Sequence, residues 1–114
     1  MTFVLKQRAF LKMYIISKAE KGGLYGFRMM EEMHEHFKNV GYKPSKSEVY
    51  KSLHELLDEG ILDRRWRGRE ENKLQEIAIY NIKDMDKAKA YKKLLKADID
   101  RSIAILQQGI KDNF

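Results

Sequence analysis

Between residues 6 and 21 the apolar positions Ala9, Phe10, Met13, Tyr14 and Ile16 follow the three-and-four spacing of a helix with one buried face. Gly22-Gly23 ends that pattern. A second helix is predicted from Gly26, with Phe27, Met30, Met33 and Phe37 on one stripe, broken by Gly41 ahead of Pro44. Ser45-Lys46-Ser47-Glu48 is a capping-box sequence and predicts the start of a third helix. The Ser45 hydroxyl would accept from the Glu48 amide, and the Glu48 carboxylate would reach back to the Ser45 amide. Val49, Leu53, Leu56 and Leu57 give this helix an inward face, and Gly60 stands where a left-handed residue closes the last turn. Its outward face carries Ser47, Tyr50, Lys51, His54 and Asp58. Residues 61–67 and 73–81 read as the strands of a β-hairpin. From an N-cap at Asp84 to about residue 108 runs one long helical pattern. Its seam is Met85, Ala88, Tyr91, Leu95, Ile99, Ile103 and Leu106. A seam of about 30 Å at 1.5 Å per residue is longer than a three-helix domain of this size can cover, so a second copy is expected to cover it across a two-fold axis.

The order helix, helix, helix, hairpin, long helix is that of a winged helix-turn-helix with a dimerising tail. The expected fold class is therefore α+β, mainly α, with the long C-terminal helices of two copies pairing as an antiparallel coiled coil. Residues 1–82 form the winged-helix portion and residues 83–114 the dimerisation helix of a single structural unit.

Composition narrows the chemistry. A chain of 114 residues with 43% hydrophobic and 35% charged residues and a single Pro makes one compact domain with one small core. The 23 basic residues outnumber the 17 acidic ones, a net charge of +6 that suits a polyanionic partner and also suits simple solubility. With no cysteine there can be no disulfide, thiolate metal site or Cys nucleophile, which fits a reducing cytosol. Neither a secretory leader nor an apolar run of membrane-spanning length is visible, so a soluble, cytoplasmic and nucleoid-associated protein without a membrane partner is expected.

The third helix can be read in two ways. Its N-terminal half can enter a major groove, with Ser47, Tyr50, Lys51 and His54 facing base edges and phosphates, or it can be an ordinary solvated face. The hairpin tips the balance toward DNA. Arg64, Arg65, Arg67 and Arg69 occupy both faces of a strand and its tip, and a phosphate backbone would neutralise them. Trp66 among them can reach nucleic acid or pack on its own domain, and packing is the expectation. The lysines of the last helix, Lys87, Lys89, Lys92, Lys93 and Lys96, could face a membrane surface, but Asp84, Asp86, Asp98 and Asp100 dilute them and favour the flank of a dimer seam. His34, His36 and His54 do not converge on a metal, and no cofactor is expected. Gly22-Gly23-Leu24-Tyr25-Gly26 lacks the preceding strand and following Lys-Ser/Thr pair of a phosphate loop and reads as a turn. Without a nucleophile elbow or paired carboxylates in an apolar setting, an enzyme is not expected.

Several strings together carry a resemblance: Lys6-Gln7-Arg8-Ala9-Phe10-Leu11-Lys12, Leu24-Tyr25-Gly26, Glu48-Val49-Tyr50 and Ser52-Leu53-His54-Glu55-Leu56-Leu57-Asp58 followed by Gly60-Ile61-Leu62. The pattern continues through Lys73-Leu74-Gln75-Glu76, Tyr91-Lys92-Lys93, Asp100-Arg101 and the terminal Asp112-Asn113-Phe114. The chain resembles the bacterial replication terminator protein family over nearly its whole length. That resemblance implies a symmetric winged-helix homodimer joined by its long helices. Cooperating pairs of dimers would bind double-stranded terminator DNA and stop replication forks from one direction. It implies base and phosphate contact by Ser47, Tyr50, Lys51 and His54, phosphate contact by Lys6 and Arg8, groove contact by the wing (Arg64, Arg65, Arg67, Arg69, Lys73), and dimerisation through Ala88, Tyr91, Leu95, Ile99, Ile103 and Leu106. Tyr25 falls at a position implicated in touching the replicative helicase.

The sequence departs from the family pattern in two places. Only five residues precede Lys6 where the family has a longer arm, and arginines replace a lysine-rich segment around Trp66. The Leu-Tyr-Gly string also resembles PadR-type winged-helix regulators, so promoter repression stands as the alternative to fork arrest. A module that binds an acidic protein through its hairpin is a third reading.

Overall fold

The computed structural model describes residues 2–68 and 76–114. The elements are α1 (Gln7–Glu20), β1 (Leu24–Tyr25), α2 (Gly26–His36), a single 3₁₀ turn (Lys38–Val40), α3 (Lys46–Asp58), β2 (Leu62–Gly68), β3 (Glu76–Ile82) and α4 (Met85–Asn113). Sequence patterning places every helix within a few residues of its observed bounds, with α4 running five residues past its expected end. It misses β1. The stretch read as a turn places Leu24 opposite Tyr80 and Tyr25 opposite Ile79, so that β1 pairs antiparallel with β3 in a sheet of order β1-β3-β2. Two residues are too few to show a period, and only the partner strand makes them a strand.

The core lies where α1, α2 and α3 meet the base of the sheet. Leu11, Ile15 and Ile16 of α1, Met29 and Met33 of α2, Val49, Leu53 and Leu56 of α3, and Leu62 and Tyr80 of the sheet are all buried together. Phe27 is not among them. It is 71% exposed, because the buried side of α2 is centred on Gly26, Met29 and Met33, and Phe27 lies about 100° around the helix from Gly26.

Both ends of α3 are closed by identifiable contacts. At its start the Ser45 hydroxyl accepts from the Glu48 amide at 3.1 Å. The reciprocal half of the expected capping box is replaced by a tertiary contact, since the Glu48 carboxylate turns to Arg8 of α1. At its end Gly60, at φ 75°, allows the Ile61 amide to donate to Leu56 and the Gly60 amide to Leu57, a double closure that needs a left-handed residue. The Ile61 carbonyl then accepts from the amides of Lys83 and Asp84, which ties the entry of β2 to the start of α4.

The long helix begins where expected, with the Asp84 carboxylate accepting from the Lys87 amide at 3.1 Å. Its apolar seam, however, is divided. Ala88 is fully buried in the chain's own core, Tyr91 packs against that core, and Leu95 is 8% exposed. Here the chain does supply a partner. The segment before α1 lies along α4, its Leu5 amide donating to Ser102 Oγ at 2.8 Å and its Phe3 carbonyl accepting from Arg101 at 3.0 Å. Beyond that point Ile103, Leu106 and Ile110 stay about half exposed or more. The arrangement of α1–α3 and the sheet is that of a winged helix.

Candidate nucleic-acid interface

Successive residues on a helix are about 100° apart, so α3 presents three distinct sides. Val49, Leu53 and Leu56 face the core. Ser47, Lys51 and His54 are exposed on one outward stripe. Between these two sides, Glu48, Glu55 and Glu59 form a stripe that looks toward α1.

That acidic stripe meets two cations. The Arg8 guanidinium donates to both Glu48 oxygens at 3.1–3.2 Å and also pairs with Glu55. The Lys12 ammonium, on a side chain only 6% exposed, reaches Glu55 at 3.3 Å and Glu59 at 2.8 Å and lies 5.0 Å from the centre of the Tyr91 ring. Burial acts to lower the affinity of both cations for their protons, yet the facing carboxylates outweigh it and hold both groups above their ordinary values. Glu55 shows the complementary effect. Burial acts to raise its carboxyl, and hydrogen bonds from Arg8 and Lys12 bring it below its ordinary value.

Arg8 thus sits on carboxylates of its own chain, while Lys6, two residues earlier, is exposed at the α1 N-terminus. Tyr50 is also drawn inward. It is half-buried, with burial raising its hydroxyl, and its ring lies close over the first residue of α2. A Cβ at Gly26 would stand 2.8 Å from the Tyr50 hydroxyl and 3.2 Å from ring carbons. The glycine of the Leu-Tyr-Gly string therefore leaves room for the close approach of a residue on α3. Tyr25 itself is half-buried on β1, with the Arg28 guanidinium 6.0 Å from its ring centre.

On the wing, Arg64 and Arg65 are exposed and, being adjacent on a strand, lie on opposite faces. Trp66 was expected to pack on its own domain. It is instead 57% exposed, with the Arg64 guanidinium 5.1 Å from its ring centre. Trp66 lies opposite Ala78, which itself packs against the core, yet the Trp66 ring is left exposed beside Arg64 although its strand partner reaches the core. The Arg67 side chain, Arg69 and Lys73 lie outside the described residues.

Sequence reading missed the pairing of α1 with α3. The signal was present, since Arg8 and Lys12 are four apart and Glu48, Glu55 and Glu59 recur at helical spacing. What joined them was the tertiary approach of two helices, which no local pattern encodes. Among the described residues no group of three or more His, Cys, Asp or Glu side chains could hold a metal ion, and no helix is long and apolar enough to cross a membrane.

A family model described as replication terminator protein matches residues 2–114. The chain belongs to the replication terminator protein family. Relatives named replication termination protein in Bacillus subtilis strain 168 and Bacillus vallismortis are each 47% identical to it over 112 residues, covering 98% of this chain and 92% of theirs. Solved structures share this chain's winged-helix architecture at lower identity. Pex from Synechococcus superposes with a TM-score of 0.65 at 19% identity, covering 86% of this chain and 83% of its own. Bacillus subtilis PadR in complex with operator DNA gives a TM-score of 0.58 at 24% identity over 74% of this chain and 46% of its own. The replication terminator family is not a family of enzymes.

Proposed function

We propose that this chain is a homodimeric, sequence-specific double-stranded DNA-binding protein that occupies replication terminator sites and blocks forks arriving from one side. The observations that carry the reading are the exposed Ser47, Lys51 and His54 stripe of α3 and the exposed Arg64 and Arg65 of the wing, in a chain of the terminator family. In this reading the N-terminal half of α3 enters the major groove, where Ser47, Lys51 and His54 reach base edges and phosphates and Tyr50 supports them from its half-buried position. Lys6 and the wing arginines, with Arg67, Arg69 and Lys73 further along the sequence, contact the backbone and the adjoining groove. Pairing of two copies through the outer stripe of α4, with Ile99, Ile103 and Leu106 at its centre, sets two α3 helices against half-sites about one helical turn apart, and pairs of dimers cooperate on one terminator.

A two-fold dimer on a symmetric site cannot by itself distinguish the two directions of approach. Polarity must come from unequal occupancy of paired sites or from contact with the replicative helicase, for which Tyr25 is the candidate. Such a protein works in the cytoplasm at the nucleoid.

The test is selection of bound fragments from the source genome, followed by mapping of position and orientation. Closely spaced sites in opposed orientation around a replication terminus support fork arrest. Isolated palindromes at promoters would replace it with the repressor reading. On the selected duplex Lys51→Ala is expected to weaken binding and leave dimerisation intact. Tyr25→Ala is expected to keep affinity and reduce arrest; parallel loss of both, or of neither, removes the helicase contact.

A further inference from the structure

We infer that Arg8 and Lys12 are positioning residues, which fix the rotation of α3 about its own axis by clamping the Glu48, Glu55 and Glu59 stripe to α1. The inference rests on the proposed reading of α3 as the DNA-reading helix. Arg8 Nη2 lies 3.1 and 3.2 Å from the two Glu48 oxygens while Nη1 pairs with Glu55, so one planar group joins two turns of α3. Lys12 repeats the arrangement one turn further on, between Glu55 and Glu59.

The apolar face of α3 sets how deeply the helix sits, but Val49, Leu53 and Leu56 are non-directional contacts and tolerate a small rotation. Directional bonds on a stripe roughly a quarter-turn from Ser47, Lys51 and His54 do not. Side-chain tips lie about 5–6 Å from a helix axis, so a rotation of about 10° carries them about 1 Å. A shift of that size is enough to move a hydrogen bond to a base edge out of its acceptable range. The wide spacing of the clamp, from Glu48 in the first turn to Glu59 beyond the last, also resists tilting.

This role differs measurably from a phosphate contact. A cation that neutralises a phosphate adds about 0.9 to the slope of log affinity against log salt, whatever the sequence of the duplex. A cation that aligns α3 leaves that slope unchanged and affects only the preference for the right sequence. The experiment uses the full chain, duplexes it recovers from fragmented genomic DNA, and a scrambled duplex of the same length. Arg8→Gln is expected to lower the ratio of specific to scrambled affinity about tenfold, as for misalignment of one good base contact, with the salt slope on either duplex unchanged. Lys6→Ala is the control and is expected to lower both affinities together and reduce the slope.

Glu48→Gln provides the sharper arm. Removing a negative charge beside DNA should tighten binding to any duplex on electrostatic grounds alone, whereas the clamp requires weaker specific binding. Arg8→Lys keeps the charge but replaces the planar fork, and is expected to give an intermediate ratio; it serves should Arg8→Gln fail to fold. A reduced slope for Arg8→Gln, or tighter specific binding by Glu48→Gln, overturns the positioning role and returns Arg8 to the phosphates. If the unaltered chain shows no preference for any recovered duplex, the DNA-reading role falls and the positioning role with it.

Discussion

Leu95 and Leu106 stand three turns apart on the same stripe of α4, and changing each to Asp should have opposite consequences. Leu106 is 53% exposed, Leu95 only 8%. Full burial of a large apolar side chain is worth about 1.5–3 kcal/mol, so covering the exposed half of Ile103, Leu106 or Ile110 in a dimer contributes about 1 kcal/mol each. An isologous interface counts every residue twice, giving about 6 kcal/mol from these three positions. Leu106→Asp removes about 1 kcal/mol per copy and adds about 1–3 kcal/mol for desolvating a polar group in the seam. Over two copies that is about 4 kcal/mol or more, a weakening of the dimer on the order of a thousandfold. The protomer should keep its melting temperature when compared as a monomer. Leu95→Asp places its charge inside the protomer and should cost at least about 3 kcal/mol of folding stability, lowering the melting temperature by more than about 10 °C. Sedimentation velocity over a concentration series, beside thermal unfolding by circular dichroism, separates the two. A Leu106→Asp chain that remains as dimeric as the unaltered one would show that the outer stripe is not the interface. A Leu95→Asp chain that melts normally but dissociates would place Leu95 in the dimer seam rather than in the protomer.

Gly26→Ala should destabilise the fold by about 1–3 kcal/mol in chemical denaturation, because the new methyl meets the Tyr50 hydroxyl at 2.8 Å and overpacks a half-buried ring. Combining it with Tyr50→Phe removes the nearest atom and should recover part of the loss; strict additivity would mean that the two residues do not meet. The α1–α3 clamp should also weaken in acid. Glu55 has a folded value below its ordinary 4.5, so its contribution is complete above about pH 4.5 and is lost as the pH falls through the lower folded value. The gap in melting temperature between the unaltered chain and Glu55→Gln should therefore close on acidification, and a gap that stays constant would remove the ion pairs as its cause.

Legibility in the sequence tracked the range over which each signal acts. The Ser45 cap, the Gly60 closure and the Asp84 cap are all decided within three or four residues, and each is found where the pattern placed it. β1 was invisible because only β3 makes Leu24 and Tyr25 a strand. The seam of α4 was legible as an apolar stripe, but a stripe does not say who covers it. Ala88 and Tyr91 went to the protomer's own core, and residues 3–5 folded back to meet Arg101 and Ser102, because a long helix beside a small domain offers its near half to that domain first.

Charge was the least legible property of the candidate interface. A count of cations treats Lys6, Arg8 and Arg64 alike, yet Lys6 and Arg64 are exposed while Arg8 faces two carboxylates of α3. A phosphate competing for Arg8 would have to displace a bidentate partner already in place, leaving Glu48 without this cation and Glu55 with Lys12 alone. For Lys12 the competition is more unequal still, since its side chain is 6% exposed and a phosphate could not approach without parting α1 from α3. On the proposed reading Lys6 and Arg8, only two residues apart, therefore do two different jobs. Which job each has is decided by the neighbouring helix, and the salt slope reads that difference directly.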